Sequence, residues 1–96
     1  MLLSETQIAA VRAQAGVDPV PADHTFRGQL AERYGDHTFY LGSGGLYILE
    51  PFGLPMPESD PAIFVNIAVW VDDSHSQLKT IPPVRVEHAV DLKAGA

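Results

Sequence analysis

A-I-F-V-N-I-A-V-W-V, residues 62–71, is the longest nearly unbroken apolar run in the chain. It is rich in β-branched and aromatic residues, follows Pro61 and stops at Asp72-Asp73, so it reads as a central strand buried on both faces. It is too short and too β-branched for a membrane helix. Successive strand side chains point opposite ways. Strict alternation therefore puts Ile63, Val65, Ile67, Val69 and Val71 on one aliphatic face and Phe64, Asn66, Ala68 and Trp70 on a mixed one.

Working outward, His37–Leu41 and Leu46–Glu50 are short β-prone runs separated by G-S-G-G, the pattern of a hairpin with a four-residue loop. A phosphate loop would need a helix after the glycines, and here a strand follows. Pro51 ends the second strand. The segment P-F-G-L-P-M-P-E-S-D-P to Pro61 reads as a stiff connection whose Phe52, Leu54 and Met56 are expected to dock on the body of the protein. Beyond the central run, residues 72–83 read as a second long loop. Val84, Val86, His88 and Val90 then alternate with polar neighbours, which predicts a half-buried antiparallel edge strand over 84–91.

Upstream, Ser4 and Gln7 form an S-x-x-Q capping box, with Leu3 and Ile8 placed as a hydrophobic staple. A helix over about residues 5–15 follows, with Ile8, Val11 and Ala15 on one face and Gly16 as its left-handed stop. Pro19 and Pro21 enforce an extended connection. Phe26, Leu30 and Tyr34 at i, i+4, i+8 predict a second helix over about 24–34, capped by Asp23 and closed by Gly35. Gly28 inside it disfavours the helix by about 1 kcal/mol against alanine.

The expected fold is therefore a single α+β domain over residues 1–96, in the order α-α-β-β-β-β. Two N-terminal helices are packed on one face of a four-stranded, mainly antiparallel sheet with strands near 37–41, 46–50, 62–71 and 84–91. A meander is the simplest order.

Twelve acidic against six basic residues give a net charge of -6, and the basic residues are scattered. Nucleic-acid and anionic-membrane binding both need a basic patch, so neither is expected. There is no cysteine, hence no disulfide, thiol nucleophile or Cys-based metal site. The start M-L-L-S-E-T-Q lacks the features of a signal peptide, and a cytoplasmic location is expected.

No motif ties the chain to a reaction. D-H-T-F occurs at 23–26 and at 36–39, and could supply Asp23, His24, Asp36 and His37 to a metal, but no ligand spacing such as H-x-x-x-H supports this and no metal or cofactor is expected. D-D-S-H-S around His75 holds Asp, His and Ser adjacent in sequence, whereas a nucleophilic triad is assembled in space; Asp72 and Asp73 read as turn residues. The chain reads as non-enzymatic.

The informative anomaly is the mixed face. Tyr40, Tyr47, Phe64, Asn66 and Trp70 fall together there, joined by Leu49, an aromatic patch with polar handles of the kind binding surfaces use. Either the two long loops cover it, or it is a contact for a second copy or another protein partner. A small-molecule binder or small enzyme is the alternative, with a pocket between the sheet and the Pro51–Pro61 segment and with His37, His88, Tyr40, Tyr47 or Asn66 as its polar groups.

Overall fold

The computed structural model describes residues 1–21, 25–54, 56–74 and 77–93. Asp23, His24 and His75, together with the side chain of Phe26, lie outside the described residues. Helix α1 spans Glu5–Ala15 and α2 Thr25–Tyr34; strands β1 (Tyr40–Gly42), β2 (Gly45–Pro51), β3 (Pro61–Trp70) and β4 (Leu78–Asp91) follow. The four strands form one antiparallel sheet in the order β1-β2-β3-β4, the expected meander.

Both ends of α1 are set by side-chain and backbone chemistry legible in the sequence. The Gln7 amide donates to Ser4 Oγ at 3.2 Å and the Ser4 amide donates to Gln7 Oε1 at 2.9 Å, closing the capping box. Gly16 ends the helix at φ 68°, and its N–H reaches Arg12 O. These bonds satisfy backbone groups that a helix end otherwise leaves open. Ser4→Ala is expected to lower the stability by about 1 kcal/mol in urea unfolding; an unchanged midpoint would mean that the cap contributes nothing to the fold.

Strand boundaries moved where the backbone found other partners. Residues 37–39 were expected in the first strand, but the Thr38 N–H goes to Met1 O and Phe39 O accepts from Val20 N–H, so the ladder begins only at Tyr40. The last strand, expected at 84, begins at Leu78. Pro82 and Pro83 are tolerated because β4 lies at the edge of the sheet and they fall between its Thr80 and Val84 pairings, where two extra residues bulge out. A second two-residue irregularity lies between Arg85 and Ala89.

The helices do not share a face. Leu30, Ala31 and Tyr34 of α2 pack with Phe39, Leu46, Ile48, Ile63, Val65 and Ile67. On the other side Val11 and Ala15 of α1 pack with Tyr40, Tyr47, Leu49, Phe64 and Val90. The physical reason is that both sheet faces are apolar. Leaving the aromatic face bare would expose too much hydrophobic area for a chain of this size, and α1 covers it. Gln14 anchors α1 there: its amide nitrogen donates to Asp91 O at 2.6 Å, and the Asp91 N–H donates to Gln14 Oε1 at 2.8 Å.

Strand β3 also carries a bulge. Tyr47 pairs with Asn66 but Leu46 pairs with Ala68, which leaves Ile67 as an extra residue. The Asn66 amide fills the gap by donating to Leu46 O at 3.0 Å and Ala68 O at 2.9 Å. One extra residue inverts the alternation beyond it. Ala68 consequently joins the α2 side. Trp70 follows, since its cross-strand partner Leu78 packs against that same cluster.

The segment between β2 and β3 closes on itself, with the Phe52 N–H donating to Pro61 O and Met56 bridging Ser59. Contrary to expectation, Leu54 and Met56 are left 86% and 60% exposed, while Phe52, 43% exposed, meets the Arg85 guanidinium of β4, 5.9 Å above its ring. No described helix is long and apolar enough to cross a membrane.

Candidate functional site

Where α1 stops at Gly16 and the chain turns through Val17, the helix no longer covers the sheet. The uncovered space is a pocket of about 210 Å³ between the end of α1, the β1–β2 hairpin and the middle of β3 and β4. Ala15 and Val17 form one side of its lining, Tyr40, Leu41, Gly42 and Tyr47 come from the hairpin, Phe64 from β3, and Val86 and His88 from β4.

Period-two geometry brings the rings together. Tyr40 pairs with Tyr47 across the hairpin, Tyr47 with Asn66 across the next ladder, and Phe64 precedes the bulge, so all three rings look toward α1. Phe64 is the hub. Its ring meets Tyr40 at 5.5 Å and 86°, Tyr47 at 6.5 Å and 89°, and His88 at 5.5 Å and 83°. Edge-to-face contact of this kind sets the positive rim of one ring against the negative face of another.

Three of the five residues expected on the face, Tyr40, Tyr47 and Phe64, therefore line the pocket, and His88 joins them. Asn66 is committed to the bulge. Trp70 sits on the other face, and its indole N–H donates to Gly42 O at 2.7 Å. His37 is remote from the pocket: its Nδ1 lies 2.7 Å from the Met1 amino nitrogen, and its ring stacks edge-on against Phe39. Burial first, and then the adjacent terminal ammonium, hold the His37 imidazole below its usual range. The lining also includes no described residue of the Pro51–Pro61 segment, where the pocket was expected, or of the loop after β3.

The Tyr40 hydroxyl is the most unusual polar group at the site. The residue is 3% exposed and its Oη has no hydrogen-bond partner among the described residues. Burial pushes its pKa from 10.0 up to about 12, opposed by Arg12 and reinforced by Asp18. Arg12 Nε and Asp18 form an ion pair with each other nearby. Because the folded pKa is raised, this group's contribution to stability is complete below pH 10 and is lost as pH rises through about 12. A phenolate absorbance titration should show one late tyrosine, absent in Tyr40→Phe. The same variant should be more stable than the parent by about 1 kcal/mol in urea, because it deletes an unpaired buried hydroxyl. A loss of stability would show that the hydroxyl is partnered.

Sequence reasoning missed Ala15, Val17, Leu41, Gly42 and Val86 as lining residues. A signal for Val86 and His88 was present: they share one face of the last strand, and that strand neighbours the one carrying Phe64. Among the described residues no group of three or more His, Cys, Asp or Glu could hold a metal ion. Comparison of the chain with protein-family models, with curated proteins and with solved structures finds no match.

Proposed function

We propose that this protein is a non-enzymatic binding domain that takes a small, largely apolar group into the pocket between α1 and the aromatic face of the sheet. The convergence of Tyr40, Tyr47, Phe64 and His88 on one space of about 210 Å³ carries the reading. An apolar cavity of about 150 Å³ holds benzene, whereas pockets for drug-sized molecules start near 300 Å³. The volume suits one ring or a compact branched group. Of the nine lining residues only Tyr40, Tyr47 and His88 are ionisable. Activated nucleophiles and acid–base pairs need a partner group within hydrogen-bond reach, and the Tyr40 hydroxyl has none among the described residues, which favours binding over catalysis.

Benzyl alcohol titrated into isotopically labelled protein tests this. Amide shifts should concentrate at Ala15, Val17, Leu41, Gly42, Tyr47, Val86 and His88. Shifts scattered over the surface, or none, would overturn the reading.

A second reading, association with another protein or with a second copy of the chain, is favoured by the exposed Phe52, Leu54 and Met56. Light scattering would return about twice the chain mass of 10.4 kDa for a homodimer. Leu54→Asp should then restore the single mass.

A further inference from the structure

We propose that the group received by this pocket is a methylated ammonium, held by cation–π contact with the rings around Phe64; the proposal rests on the pocket being a ligand site, as argued above. Three rings, Tyr40, Tyr47 and His88, each stand within 7° of perpendicular to Phe64. All four line the same space. Four aromatic rings are thus gathered around one space, and the face of an aromatic ring carries negative potential that attracts a cation.

Charge and hydration narrow the choice further. No Lys or Arg belongs to the lining, and the guanidinium nearest Tyr40, that of Arg12, is paired with Asp18. A net charge of -6 draws cations toward the surface and repels anions. A bare metal ion or a primary ammonium is unsuited, because the lining offers no carboxylate and few polar atoms to replace its water. Methyl groups on nitrogen make no hydrogen bonds. A quaternary or trimethylated ammonium therefore enters an aromatic lining with little loss of hydration and keeps its charge for the ring faces.

Tyr47 is the wall suited to a test, since it is only half-buried whereas Tyr40 and Phe64 belong to the core. Choline and its neutral carbon isostere dimethylbutanol, which differ at the pocket end only in charge, are titrated into the intact chain, with benzyl alcohol as a control for the pocket itself. Choline should bind about tenfold tighter than the isostere, Tyr47→Leu should weaken choline about tenfold, and Tyr47→Phe should keep most of the affinity. Equal binding of choline and the isostere would overturn the proposal, as would loss of choline binding in Tyr47→Phe, which would assign recognition to the hydroxyl. Benzyl alcohol separates the two levels. If it binds while choline shows no advantage, only the ligand class is wrong; if it also fails to bind, the pocket reading falls with it.

Discussion

Replacing Gly45 by alanine is expected to destabilise the protein by at least about 3 kcal/mol. Gly45 opens β2 at φ 122°, a backbone conformation that side chains rarely adopt. A Cβ there would lie 2.1 Å from Ala68 O and 2.8 Å from Val69 Cα, both main-chain atoms of β3 that have no rotamer by which to yield. Backbone strain and steric overlap add, and their sum is a large part of the stability available to a domain of this size. The measurement is the urea midpoint with the transition slope held in view. A shift below about 1 kcal/mol would mean that β2 and β3 separate easily at this end, contrary to the tight bulge beside it. By contrast Gly28 in α2 has open space around it, so glycine is required in the hairpin and merely tolerated in the helix.

Phe39→Ala is expected to cost about 3–5 kcal/mol, the range for removing a buried aromatic ring. Phe39 is fully buried in the cluster that α2 shares with the sheet, against Leu30, Leu46 and Ile48. It also lies where residues 37–39 leave the ladder to bond with Met1 and Val20, so its ring secures a backbone that sheet pairing does not hold. Unfolding in urea, followed by circular dichroism, would check the figure. A near-neutral result would show that α2 docks without this ring, and that the core on that side depends on the aliphatic residues of β3 alone.

Much of the fold could be read from residue order because local signals agreed with one another. The S-x-x-Q box, the glycine after Ala15 and the i, i+4 placing of Leu30 and Tyr34 each specify a local conformation that the structure has. The G-S-G-G hairpin forms too, though Gly42 pairs with Gly45 and so leaves a two-residue Ser43-Gly44 turn in place of the expected four-residue loop. Two failures came from effects that periodicity does not encode. Asn66 sits in the middle of an apolar strand, where its amide holds a bulge, and the single residue Ile67 sends Trp70 to the opposite face from Phe64. A polar amide inside such a run is a hint of irregular pairing, but its direction is set by the neighbouring strand. The side on which α1 docks was equally invisible. It depends on Gln14 meeting the backbone of Asp91, a contact between residues far apart in sequence.

The aromatic site was partly legible for a related reason. Tyr40, Tyr47 and Phe64 follow from alternation and hairpin register, which operate over a few residues. The pocket lies where α1 ends, and that depends on where Gly16 falls relative to a sheet folded from the other end of the chain.

The irregular outer strand has a consequence for the protein in concentrated solution. A regular edge of fourteen residues would present a row of free backbone donors and acceptors on which another molecule could polymerise. Pro82 and Pro83 have no N–H to offer, and the two swellings that interrupt β4 break the spacing a stacked copy would need. The opposite rim, β1, is three residues long. Fibril growth by strand addition is thus hindered at both rims of the sheet, and substituting the two prolines with threonine would restore donors at the longer one and should shorten the lag before amyloid-dye fluorescence rises.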